Sequence, residues 1–178
     1  MFKATLAGVA LLAGTATASA PIERLSAPAV QGFVVGYEAA NHEQSVRELV
    51  PEGETVEDWS RMITDQRFFG MTARITPVQF ANLIKESVEA NCTGSRVSSV
   101  IALHVNGRPA AKMRADCPNS KVTGKPETFF MLLISGKQDM HGRQVAFTKL
   151  PNPKEVDWAE GILAKTRLCL SEGGDNAC

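Results

Sequence analysis

The clearest apolar pattern is a stripe that returns every three or four residues after residue 76, and it predicts an amphipathic helix. Thr76 suits the N-cap and Pro77 suits the first helical position, so the helix should begin there. It should end near Cys92, because Gly94 follows. A second amphipathic helix is predicted from Pro153 to about Leu170.

Shorter runs rich in apolar and β-branched residues predict strands around these helices. The most secure pair is a β-hairpin, in which Asn106-Gly107 suits the two central positions of a type I′ turn. Its strands are predicted at Arg96–Val105 and Arg108–Cys117. The other strands read from the pattern are Gly32–Ala39, Gln44–Val50, Glu127–Ser135 and Arg143–Leu150, with a turn at Gly136–Gly142.

The stretch Glu54–Gly70 is ambiguous, because its apolar residues fall near helical spacing while its residue types favour a strand. It contains an E-x4-W-x2-M-x-T-x-Q pattern, formed by Glu54, Trp59, Met62, Thr64 and Gln66. This pattern resembles that of small exported bacterial proteins of unknown function. The order of elements around it also resembles PsbP-like domains, which are antiparallel sheets flanked by helices. The resemblance implies a strand at Trp59–Phe69 and a domain that docks or assembles, and it implies no catalytic residue.

Together these elements predict an α+β fold in the order β-β-β-α-β-β-β-β-α, with an antiparallel sheet of about six to seven strands packed against two helices. The expected domain covers residues 32–170, after a flexible lead-in at 21–31 and before a tail at 171–178. Large apolar side chains at the centres of these elements are predicted to form the structural core: Trp59, Met62, Ile63, Phe80 and Trp158.

The amino terminus has the layout of a cleavable secretory signal at residues 1–20. Lys3 precedes a run of small and apolar residues that is too short to cross a bilayer. Small-x-small sites then end at Ala18 and Ala20, so that cleavage after either residue stays open. A membrane anchor is the alternative interpretation. The sequence thus predicts a periplasmic or secreted protein with no membrane span after signal cleavage.

Export changes the meaning of the four cysteines, because an even number in an oxidising compartment favours disulfides. Three pairings are possible, and the favoured one joins Cys92 to Cys117 and Cys169 to Cys178. The first bond would tie the end of a helix to the end of a strand, and the second would fasten the tail. No C-x-x-C motif is present, which disfavours a zinc site or thioredoxin-like chemistry.

The 178-residue chain has a net charge of zero, which makes nucleic acid an improbable partner. Its charge is nevertheless uneven: residues 38–65 contain eight acids and two bases, and residues 96–125 contain six bases and one acid. This asymmetry fits either two solvated surfaces or a dipolar protein that docks onto a charged partner.

The chain lacks the sequence motifs of serine hydrolases, zinc proteases and nucleotide-binding enzymes. His42 and His141 fall in predicted turns and His104 lies beside one, so we predict no metal, cofactor or catalytic site. The leading hypothesis is therefore an exported non-enzymatic domain that binds or supports another cell-envelope component. A periplasmic small-ligand binder with a pocket between sheet and helices is the alternative, and a hydrolase built on paired carboxylates such as Glu57 and Asp58 is less favoured.

Overall fold

The computed structural model describes residues 22–121 and 124–171. The strands are β1 (Ile22–Ser26), β2 (Phe33–Ala40), β3 (Gln44–Pro51), β4 (Arg61–Phe68), β5 (Arg96–Val97), β6 (Ile101–Val105), β7 (Arg108–Cys117), β8 (Glu127–Ser135), β9 (Met140–Phe147) and β10 (Arg167–Ser171), and the helices are α1 (Pro77–Asn91) and α2 (Pro153–Lys165). Eight strands form one antiparallel sheet in the order β2-β3-β4-β9-β8-β7-β5, with β6 also paired to β7. The predicted α+β class is confirmed.

Helix α1 begins where the sequence predicts. The backbone N–H of Gln79 donates to the Thr76 hydroxyl at 3.3 Å, and the Thr76 N–H donates to the Gln79 side chain at 3.0 Å. These two reciprocal bonds satisfy backbone donors that no helical carbonyl can reach. Helix α2 has the same kind of cap, formed by Asn152 and Glu155.

The predicted hairpin forms between β6 and β7. Asn106 and Gly107 both have positive φ angles, 51° and 74°, as a type I′ turn requires. The predicted strand Arg96–Val105 is divided into β5 and β6, however. At the break, the Ser98 hydroxyl accepts a hydrogen bond from the Arg114 N–H at 2.9 Å, and this contact replaces regular strand pairing.

The helices cover opposite faces of the sheet, because side chains alternate along each strand. On β4, Met62 points into the core beneath α1 and Ile63 into the core beneath α2. Phe80 and Trp59 are half-buried against the first core, and Trp158 is half-buried against the second. The buried residues of the second core include Phe130, Leu132, Val145, Phe147, Ala159 and Leu163.

The two ends of the folded domain differ from those that the sequence predicts. The expected lead-in contains β1, which pairs antiparallel with β10 over Ile22–Ser26. The last helix stops at Lys165 instead of continuing to Leu170, and β10 follows directly. Arg167 donates to the Ala164 carbonyl at 2.7 Å, which satisfies a terminal acceptor of the helix and favours an end there.

The predicted disulfide between Cys92 and Cys117 is present, with Cα atoms 5.6 Å apart. It ties the end of α1 to the end of β7. Beside it, the Lys121 N–H donates to the Asn91 carbonyl at 2.8 Å. The second predicted bond, Cys169–Cys178, stays a prediction because Cys178 lies outside the described residues. The predicted signal at residues 1–20 also lies outside them, as does the tail from residue 172.

Within the described ranges, no helix is long and apolar enough to cross a bilayer.

Candidate functional site

A band of charged side chains lies on the α2 face of the sheet, beside the part that α2 covers. Pairing register places Glu38, Arg47, Asp65 and Arg143 directly opposite one another across β2, β3, β4 and β9. The next row on the same face contains Ser45, Arg67 and His141. Because neighbouring strands lie about 4.8 Å apart, each charge in the first row has an opposite charge beside it.

Two of these arginines are fixed by carboxylates. Arg143 forms a two-pronged contact with Asp65, with both N···O distances at 2.6 Å. Arg67 contacts one oxygen of Asp139 at 2.6 and 2.7 Å. The other Asp139 oxygen accepts from the Gly70 N–H at 2.7 Å. Charge-assisted bonds of this geometry hold the side chains in fixed positions.

Glu23 reaches this band from β1 and is buried. One of its oxygens lies 2.8 Å from the Arg108 guanidinium, and the other accepts the Lys137 N–H at 2.7 Å. Gly136 is needed at this point, because a side chain there would collide with the Glu23 carboxylate. The carboxylate therefore joins β1 to the turn between β8 and β9.

His141 lies next to Glu23 and is only 2% exposed. Its Nε2 atom is 4.0 Å from the nearer Glu23 oxygen, beyond hydrogen-bonding distance. No described residue supplies this nitrogen with a hydrogen bond. Burial, followed by the positive charge of Arg67, lowers the pKa of His141 to about 4, so the imidazole is neutral at pH 7.

A cleft of about 550 Å³ opens above these groups, between β1 and strands β2 to β4. We call it the charged cleft; its lining includes Glu23, Arg24, Glu38, Arg47, Asp65, Gln66, Arg67 and His141. Arg24 and Arg47 are exposed, and no described acid lies within 4.0 Å of either guanidinium. The cleft therefore combines a buried neutral imidazole with two exposed arginines that form no salt bridge with a described acid.

The sequence pattern placed His141 in a turn, and the structure corrects this by placing it in β9. His42 is exposed in the turn after β2, and His104 is exposed on β6. The three histidines therefore do not converge. Across the described residues, no three His, Cys, Asp or Glu side chains are grouped so as to hold a metal ion.

Among the described residues, Glu23 and His141 do not form a hydrogen-bonded carboxylate–histidine pair. The 4.0 Å separation of Glu23 and His141 is too long for the contact that orients a catalytic imidazole. The acids near Trp59 lie in a loop, where Glu54 accepts hydrogen bonds from the Ser60 N–H at 2.6 Å and its hydroxyl at 2.7 Å. Glu57 and Asp58 are exposed beside Trp59 in a shallow pocket. Burial raises the pKa of Glu127 in the same pocket.

A second surface of interest is the outer edge of the sheet. Strand β2 pairs only with β3 among the described strands, so its other edge has free backbone donors and acceptors. Its side chains are unusually apolar for an exposed edge, with Val34 and Val35 each 43% exposed and Tyr37 47% exposed. The register shifts between Val35 and Tyr37, which marks a bulge at Gly36.

No known protein family and no curated protein matches this sequence. Among solved structures, the chain is similar to the Saccharomyces cerevisiae Ran-binding protein Mog1p, at 10% identity and a TM-score of 0.48, over 83% of this chain and 94% of that one. A mutant of Mog1 gives the same identity and TM-score over 84% of this chain and 96% of its own. We transfer no function from either structure, and the PsbP-like resemblance stays a prediction.

Proposed function

We propose that the protein is an exported, non-enzymatic domain that binds another component of the cell envelope through the outer edge of β2. The observation that carries this proposal is the exposed apolar surface of Val34, Val35 and Tyr37 on an edge strand whose outer side pairs with no described strand. Folded proteins usually protect such edges with charges, prolines or a covering segment. An edge that is left apolar is suited to binding an extended segment of a partner.

The partner segment would add a strand beside β2. Its backbone would pair with the free donors and acceptors of β2, and its side chains would contact the exposed valines and tyrosine. Because of the bulge at Gly36, a partner strand can pair continuously with β2 only in some registers. This restriction reduces non-specific pairing between copies of the protein.

Glutamate at both Val35 and Tyr37 should abolish partner capture from an envelope extract while leaving the free energy of unfolding nearly unchanged. Both side chains are exposed, so the substitutions place charge at the proposed contact without burying it. Leu83→Glu is the matched control, because Leu83 is 53% exposed on α1, away from this edge. Equal capture by the edge variant and the control would contradict the proposal.

Export is tested separately by the intact mass of the protein recovered from the envelope. The signal layout of residues 1–20 predicts the loss of either 18 or 20 residues, because small-x-small sites end at Ala18 and Ala20. Full-length protein retained in the membrane fraction would favour an anchor and contradict cleavage.

A small-ligand-binding periplasmic protein is the second candidate function, and the charged cleft favours it. The pocket expected from the sequence lay between sheet and helices. A pocket of about 340 Å³ lies there, between α2 and strands β6 to β8, whereas the charged cleft lies under β1.

A further inference from the structure

We propose that the charged cleft binds a small anion that presents a carboxylate or a tetrahedral oxyanion, with Arg24 and Arg47 at the rim and His141 at the floor. This inference rests on the second candidate function, ligand binding, and is independent of partner binding at β2. Arg24, Arg47 and His141 would select this class of ligand.

The lining has three arginines and three carboxylates, and the ion-pair partners around it give the whole cluster an excess of one positive charge, which favours an anion. Three carboxylates in and around the cleft already face an arginine: Glu23 faces Arg108, Asp65 faces Arg143 and Asp139 faces Arg67. Of the lining charges outside these pairs, Arg24 and Arg47 are positive and Glu38 is negative. The excess is therefore one positive charge, on guanidinium groups whose planar donors match carboxylate and phosphate-like oxygens.

The geometry brings the rim and the floor within reach of one ligand. Arg47 and His141 lie on the same face, two strands and one row apart, which corresponds to about 12 Å between their backbones. An arginine side chain extends over much of that distance, and a ligand of a few atoms fills the rest.

The floor of the cleft offers a second, independent feature that points to a ligand. His141 lines the cleft, and its Nε2 atom is buried with no hydrogen-bond partner among the described residues. A buried polar atom without a partner is unfavourable, so a ligand group or a water carried with it would satisfy this nitrogen.

Anion binding should also change the protonation of His141. The charges that face it are Arg67 on β4, Glu23 on β1, Asp139 in the turn before β9 and Arg108 on β7. A bound anion adds negative charge and favours the imidazolium, so it should raise the depressed pKa of His141. By linkage, affinity should then increase as the pH falls through the pKa of the bound state toward about 4, the pKa of His141 in the free protein.

The proposal is tested by titrating the mature, disulfide-bonded chain with sulfate or oxalate at constant ionic strength and following the His141 imidazole by NMR. We expect a saturable shift at His141 for at least one of these anions, and tighter binding at pH 5.5 than at pH 7. Arg47→Gln should weaken binding roughly tenfold, the effect of losing one charge-assisted hydrogen bond. Arg96→Gln is the matched control, because it removes the same charge from an exposed site on β5, at the far end of the sheet.

Sulfate and oxalate distinguish a tetrahedral from a planar anion, and glucose serves as a neutral probe. Saturation by glucose and by neither anion would overturn the anion assignment while leaving a ligand-binding function in place. Equal anion affinities of Arg47→Gln and Arg96→Gln would overturn the proposed site. The outcome of the partner-capture experiment with the β2 variants tests only the first candidate function, partner binding.

Discussion

Replacement of both Cys92 and Cys117 by alanine should lower the free energy of unfolding by about 3.5 kcal/mol, as measured by denaturant unfolding under oxidising conditions. The bond closes a sequence separation of 25 residues, and loop-closure entropy for that length gives this magnitude. Alanine is the better replacement because both cysteines are buried, and a serine hydroxyl there would need a new partner.

The loss should arise mainly in the unfolded state, which gains conformational freedom when the bond is absent. The end of α1 should also open more readily in hydrogen exchange, because the Lys121 N–H bond to the Asn91 carbonyl lies beside the disulfide. The control is the reduced wild-type protein, which should be destabilised at least as much as the variant. A variant whose unfolding midpoint equals that of the oxidised protein would show that the bond contributes nothing to stability.

The elements that the sequence predicts well are those with local signals. The capping box of Thr76 and Gln79 and the turn at Asn106-Gly107 each depend on residues within a few positions of one another. The strand β1 has no such signal, because its partner β10 lies at the other end of the chain. A short segment with two prolines nearby then has the pattern of a loop, and only the distant partner makes it a strand.

Glycines at positions 136 and 142 flank His141, and this sequence pattern predicts a turn there. Gly142 instead lies inside β9, where a Cβ atom would sit 3.3 Å from the Leu133 side chain. A glycine in a strand that marks close packing cannot be distinguished from a turn glycine by sequence pattern. Because of this ambiguity, the sequence pattern does not predict a buried histidine at this position.

The charged cleft could not be predicted, because its members are far apart in the sequence. Glu23 accepts a hydrogen bond from Lys137, 114 residues away, and Asp65 binds Arg143 across 78 residues. The net charge of zero also conceals the cleft, because most of its acids and bases form pairs. Arg24 and Arg47, which are exposed and form no salt bridge with a described acid, can be recognised only once these pairs are known.

His141 should make the protein less stable as the pH falls from about 6.5 to about 4. The pKa of the folded state is lowered to about 4 from an ordinary value of 6.5. Between these values the unfolded chain binds a proton that the folded chain does not, so acid favours unfolding. The full shift corresponds to about 3 kcal/mol of stability, which is retained above pH 6.5 and lost by pH 4.

The measurement is denaturant unfolding at several pH values for the wild type, His141→Gln and the control His42→Gln. His42 is exposed, with 89% of its side chain accessible, so its variant controls for the loss of a histidine outside the core. Burial raises the pKa of Glu127 and Glu48 from the ordinary value of 4.5, which adds a slope of opposite sign above about pH 4.5. Both carboxyls are present in all three proteins, so the difference between His141→Gln and the control isolates the imidazole. Parallel pH profiles for the two variants would mean that the pKa of His141 is the same in the folded and unfolded protein, so that burial does not keep the imidazole neutral.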